Sequence, residues 1–158
     1  MRVIIKKDYD DCSLWAANYM AYKIKAFRPT KDKPFVLGLP TGSTPLGMYR
    51  LLIEMVKEGK LSFANVVTFN MDEYIGLPPA HPQSYHYFME ENFFKHIDIR
   101  PENVNLLNGM TRDFGRECAE YEEKIRKYGK IHLFVGGVGE DGHCLLYTSP
   151  SPRDRSLS

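Results

Sequence analysis

The sequence predicts an α/β protein built on an open, mostly parallel sheet with helices on both faces. Three runs of strand length, residues 35–39, 66–70 and 131–135, are largely apolar, as parallel strands covered on both faces must be. Segments with apolar residues at three-to-four spacing lie between them, which gives a repeated order of strand, loop and helix. Each run also empties into a polar loop: Pro40-Thr41-Gly42-Ser43-Thr44-Pro45, Met71-Asp72-Glu73-Tyr74, and Gly136-Gly137-Val138-Gly139-Glu140-Asp141-Gly142-His143. If the three strands are parallel neighbours, these loops converge on one rim, where the chemistry of open α/β sheets sits.

Length and composition agree with this. A chain of 158 residues, 43% hydrophobic and 26% charged, suffices for one globular domain with a sizeable core. A net charge of +1 gives no reason to expect a nucleic-acid partner. No run is long enough to span a membrane, the amino terminus lacks a signal-peptide pattern, and the three cysteines have no paired spacing. A cytosolic protein with free thiols is the expectation.

Taken in order, Val3-Ile4-Ile5 is expected to be a short first strand, with acidic caps at 8–11 opening a helix over 11–27. Along that helix Leu14, Trp15, Asn18, Tyr19, Ala21, Tyr22 and Ile24 recur at roughly helical spacing. A turn at 29–34 precedes the strand at 35–39. Thr44 then suits an N-cap and Pro45 the first helical position, and the next helix carries Leu46, Tyr49, Leu52, Ile53 and Val56 before stopping at Gly59. The strand at 66–70 follows. Residues 76–82, with three prolines, form a loop. Ser84 caps a helix running to about His96, a short strand is expected within 104–107, and Asp113 opens a helix that ends before Gly129. The strand at 131–135 is the last expected with its loop, because residues 144–158 have the low apolar content of a disordered tail.

Three clusters could carry chemistry. Thr41, Gly42, Ser43 and Thr44 at a helix start could cradle a phosphate with first-turn amides and hydroxyls, or could simply cap the helix. The absent Gly-Lys-Ser/Thr ending excludes a nucleotide P-loop. Asp72 could take a proton from carbon beside a carbonyl; the alternative has Asp72 capping the following turn with Glu73 solvated. Tyr74 could cover the pocket or enter the core. Asp141 could fix the tautomer of His143 for acid/base work, or His143 could be a loop hydrogen-bonder. Gly136, Gly137 and Gly139 suggest backbone that closely approaches something. The histidines and cysteines show no metal-ligand spacing, so neither a metal nor an organic cofactor is expected.

Together these motifs resemble glucosamine-6-phosphate deaminase, also called glucosamine-6-phosphate isomerase, over nearly all of residues 1–143, with wording closer to the animal enzymes. Residues 39–45, 69–74, Ser84-Tyr85 and 136–143 match in order and spacing, and Asp72-Glu73-Tyr74 is the most diagnostic phrase. The resemblance implies a Rossmann-like three-layer sandwich, incomplete at the C-terminus, with residues 144–158 outside the family domain. It implies ring opening of glucosamine 6-phosphate, transfer of a proton from C2 to C1, and release of ammonia to leave fructose 6-phosphate. Asp72 would be the base at C2, His143 the ring-opening acid/base with Asp141 orienting it, and Thr41 to Thr44 part of the phosphate cradle. Glu73, Tyr74 and Gly137 are further pocket candidates.

The partner implied is a small phosphorylated amino sugar, with hexamers in intact family members. The family's next carboxylate would fall on Thr148, and the stretch from Cys144 reads as foreign or out-of-frame sequence. Little or no turnover is therefore expected of this chain alone. Two other readings are a 6-phosphogluconolactonase-like hydrolase and a non-catalytic sugar-phosphate-binding fragment.

Overall fold

The computed structural model describes residues 2–137. Four strands form one wholly parallel sheet: β1 (Phe35–Leu39), β2 (Val66–Asn70), β3 (Val104–Asn105) and β4 (Leu133–Phe134), in the spatial order β3-β2-β1-β4. The helices are α1 (Tyr9–Phe27), α2 (Leu46–Lys57), α3 (Tyr85–Asn92) and α4 (Phe114–Lys127), with two short 3-10 turns, Phe94–His96 and Pro101–Asn103. An α/β architecture with an open parallel sheet is thus what the sequence led to.

β1 and β2 have the bounds expected from their apolar runs, and every residue in them is buried. Their alternation divides the core in two. Phe35, Leu37 and Leu39 face a large cluster with Ala17, Ile24, Leu52 and Phe93, which belongs to α1, α2 and the end of α3. Val36, Val67 and Phe69 face the opposite side, where Tyr121 and Ile125 of α4 cover them. A period-two strand can serve two layers only if both faces are apolar, which is why these runs do not alternate in polarity.

The helix ends follow local chemistry. Asp8 caps α1 by accepting from the Asp11 amide at 2.9 Å, two residues earlier than the spacing alone suggested. Ser84 caps α3 and Asp113 caps α4, both as expected. α3 ends at Asn92 and tightens into the first 3-10 turn, so the helical stretch to His96 is not one continuous α-helix. Gly59, at φ +68°, follows α2 in the left-handed region that glycine tolerates.

Four expectations are corrected. Residues 3–5 form no strand, and Val3 and Ile5 are 71% and 89% exposed; an apolar triplet becomes a strand only where another strand offers it a ladder. α1 turns the expected Ala21 and Ile24 inward, but with Ser13, Ala17 and Met20 beside them, and leaves Leu14, Tyr19 and Tyr22 exposed. The reason is close packing on α2: a Cβ added at Gly47 would stand 2.4 Å from Ser13 Oγ, so small residues line that contact. Thr44 does not cap α2, as developed below. β4 is only two residues long, although the His132 amide bonds to the Val36 carbonyl and the Val135 amide to that of Gly38, keeping the run beside β1.

Candidate active site

The carboxyl ends of β2, β1 and β4 lie side by side, with Leu39 in register with Asn70 and Gly38 with Phe134. The three predicted loops therefore leave one rim. Buried hydrogen bonds tie that rim together. Asn70 Nδ2 donates to the Leu39 carbonyl at 3.0 Å, joining β2 to β1 at their ends. Tyr121, from α4, donates its hydroxyl to the carbonyls of Asn70 at 2.7 Å and Asn105 at 3.0 Å, bridging β2 and β3. Tyr49, fully buried on α2, donates to the Pro40 carbonyl at 2.5 Å where the chain leaves β1. These three are scaffold residues the sequence reading did not single out. The polar Asn70 closing an apolar run was the one available signal; the tyrosines carry none, because their partners are main-chain atoms remote in sequence.

The loop after β1 is polar and open. Gly42 has φ +92°, and Gly42, Ser43 and Thr44 are exposed while Thr41 is half-buried. A non-glycine residue is strained in that conformation, so the turn that presents the following residues depends on Gly42. Two of the orphan amides in the first turn of α2 are taken, contrary to expectation. The Leu46 amide bonds to the Ser43 carbonyl at 3.3 Å, the Tyr49 amide to the Pro45 carbonyl at 2.9 Å, and the Gly47 amide to the Tyr9 hydroxyl at 2.8 Å. The Leu46 and Gly47 amides are thus withdrawn from anion binding, which puts the weight on the donors of the Thr41 to Thr44 segment itself.

Asp72 lies half-buried just past the end of β2. Burial, and then the charge of Glu73, push its carboxyl above the usual range for an aspartate. That favours a carboxylate able to take up a proton, as a base next to a carbonyl must.

Glu73 is not solvated. Its side chain is 2% exposed, and its oxygens accept from the amides of Tyr74 and Tyr85 at 2.8 Å each and of His86 at 3.0 Å, with His86 Nδ1 at 2.7 Å. Burial pushes its pKa up, but the bonds from Tyr85, His86 and Tyr74 outweigh burial and leave it below the usual range. Glu73 is thus the clamp that fastens the Asp72 loop to the amino end of α3, where a negative charge and orphan amides suit each other.

Tyr74 is 45% exposed, so it does not enter the core; its ring lies 4.8 Å from that of Tyr85. The Tyr85 phenol is raised by burial first, then by Tyr74 and the charge of Asp72, while Thr41 acts the other way. Tyr85 therefore stands among residues of both rim loops. Gly137 follows β4 on the same rim, and a Cβ at Gly136 or Gly137 would meet no described atom within 4 Å. The expected close approach is therefore not made to any described part of the protein. Asp141 and His143, with Gly139, lie outside the described residues. No group of three or more His, Cys, Asp or Glu side chains among the described residues could hold a metal ion, and no described helix is long and apolar enough to cross a membrane.

Comparison with known proteins adds four findings. A family model described as glucosamine-6-phosphate isomerases/6-phosphogluconolactonase matches residues 7–146. A protein of Treponema denticola named glucosamine-6-phosphate deaminase is 62% identical over 98% of this chain and 58% of its own. Among solved structures, a monomeric glucosamine-6-phosphate deaminase superposes with a TM-score of 0.85 at 39% identity, over 91% of this chain and 58% of that one. A 6-phosphogluconolactonase from Thermotoga maritima reaches 0.72 at 25% identity, over 92% and 62%. The chain thus spans little more than half the length of the relatives it matches.

Proposed function

We propose, for a chain that belongs to the glucosamine-6-phosphate isomerase and 6-phosphogluconolactonase family, that its rim binds glucosamine 6-phosphate and serves the deaminating isomerisation of that sugar. The observation that carries this reading is Asp72: a half-buried carboxyl, raised in pKa, next to the open Thr41 to Thr44 loop on one edge of a parallel sheet.

Each step asks for a group the rim supplies. The phosphate is held by the amides and hydroxyls of Thr41, Gly42, Ser43 and Thr44, with Gly42 providing the turn. Once the ring is open, the C1 aldehyde acidifies the C2 proton, and Asp72 removes it to leave an enol with its double bond between C1 and C2. Returning that proton at C1 leaves a C2 iminium, to which water adds, so that ammonia departs and the ketose remains. Ring opening falls to His143, oriented by Asp141. Tyr74 and Tyr85 form the wall beside Asp72. No metal ion or organic cofactor enters this scheme.

Thr148 stands where the resemblance puts a carboxylate partner for the histidine, and losing such an orienting group costs about 10⁴ in rate in serine proteases. Slow turnover by the 158-residue chain is the corresponding expectation. The test measures ammonia release from glucosamine 6-phosphate beside hydrolysis of 6-phosphogluconolactone. The reading predicts a weak release that disappears in Asp72→Asn. Lactone hydrolysis that outruns ammonia release would contradict it.

A further inference from the structure

The amino end of α2 is capped from across the chain. Pro45 occupies the cap position and no side chain of the preceding loop bonds to the first turn. The hydroxyl of Tyr9, at the start of α1, does so instead. Its oxygen accepts the Gly47 amide at 2.8 Å, and the same hydroxyl points at the Thr44 carbonyl at 3.0 Å and the Ser43 carbonyl at 3.3 Å. One phenol therefore spans the turn from Ser43 to Gly47.

Two consequences bear on the rim. In a trans peptide the carbonyl and the following amide point in opposite directions, so a Ser43 carbonyl turned toward Tyr9 aims the Thr44 amide away from it. The oxygens of Ser43 and Thr44, which would repel an anion, are meanwhile occupied on the Tyr9 side. Gly47 makes this arrangement possible: a Cβ there would lie 2.9 Å from Tyr9 Cε1 as well as 2.4 Å from Ser13 Oγ. The absence of a side chain at that position and the hydroxyl across from it are separate features of the sequence that serve one geometry.

We infer that Tyr9 is a positioning residue for the phosphate subsite, its hydroxyl holding the Ser43 and Thr44 carbonyls back so that the Thr44 amide, not a carbonyl oxygen, faces the phosphate. The inference rests on the reading of the Thr41 to Thr44 loop as the phosphate cradle. Tyr9 is 45% exposed, and a groove of about 620 Å³ bordered by Tyr9, Ser43, Thr44 and Arg50 runs beside it. Tyr9→Phe therefore keeps the ring in place and lets water reach the released Gly47 amide, which limits the effect to the net value of an exchanged hydrogen bond.

The experiment compares the 158-residue chain with Tyr9→Phe and Gly47→Ala by calorimetric titration with glucosamine 6-phosphate and with glucosamine. Amide exchange at Gly47 is followed in parallel. Tyr9→Phe is expected to weaken the phosphorylated sugar roughly two- to tenfold, leave glucosamine unchanged, and speed exchange at Gly47. Gly47→Ala is expected to act in the same direction. Equal binding of glucosamine 6-phosphate by wild type and Tyr9→Phe, or equal weakening of both sugars, would overturn the inference about Tyr9 alone. A wild-type chain that does not distinguish the two sugars would overturn the phosphate cradle itself, and the role of Tyr9 with it.

Discussion

Two neighbouring carboxylates past the end of β2 have opposite fates. Asp72 is raised in pKa by burial and by Glu73, so its ionised form costs the folded state stability. The linkage is direct: a carboxyl whose folded pKa lies above the unfolded value contributes most below about pH 4, and that contribution is lost as the pH rises through the folded pKa. Asp72→Asn is therefore expected to melt higher than wild type at pH 7, with the gap closing toward pH 4, while losing ammonia release. A variant that melts lower at pH 7 would remove the strain assigned to this carboxylate. Glu73 is the reverse case, with every bond it makes favouring the charge. Glu73→Ala leaves the amides of Tyr85 and His86 without their acceptor and should cost about 3 kcal/mol in urea unfolding; a loss under about 0.5 kcal/mol would deny the clamp. The sequence showed Asp72, because a carboxylate just past a buried strand stands out. It did not show the clamp, since Glu73 finds its partners across the loop at 76–82 and no local pattern encodes that return.

At the scale of elements, legibility followed burial. β1 and β2 could be read to the residue because central parallel strands are apolar throughout and prolines and polar residues bound them. Residues 3–5 and 131–135 are equally apolar, but whether such a run joins a ladder depends on a partner far away in the chain. α1 was misread for another reason: where helices approach closely, small residues line the contact and large ones can be left outside. Two predictions belong here. A Cβ at Gly109 would stand 2.1 Å from the Tyr74 carbonyl oxygen, and the Gly109 carbonyl accepts the Gly76 amide at 2.8 Å. Gly109→Ala must therefore push the backbone of the Asp72 loop, and should weaken sugar-phosphate binding several-fold, on the order of 1 kcal/mol; unchanged binding and stability would deny that contact.

His132 completes the ladder between β1 and β4 with its side chain, accepting the Val36 amide at Nδ1 over 2.9 Å between the rings of Phe27 and Phe35. Burial, then Lys130 and Lys33, hold its pKa below the usual value. The unfolded chain takes the proton more readily, so this contribution is full above about pH 6.5 and lost as the pH falls through the lower folded pKa. The urea midpoint should drop more steeply between about pH 7 and pH 5 in wild type than in His132→Asn. Parallel slopes would remove His132 from the account.

For the molecule as a whole, the order β3-β2-β1-β4 places the Thr41 to Thr44 loop, the Asp72 loop and the start of the glycine-rich loop on three adjacent strand ends. This convergence was legible because strand-loop-helix repeats in one sheet leave few topologies. The cross-braces by Asn70, Tyr49, Tyr121 and Tyr9 were not, since each joins atoms that only the fold brings together. The most direct test of the central claim, that these loops make one sugar-phosphate site, is an amide chemical-shift titration of the 158-residue chain with glucosamine 6-phosphate, using glucosamine as control. The account predicts saturable shifts at Gly42, Ser43 and Thr44 together with Asp72, Tyr74 and Tyr85, and none of comparable size with glucosamine. Shifts confined to one loop, centred elsewhere, or equal for the two sugars would contradict it.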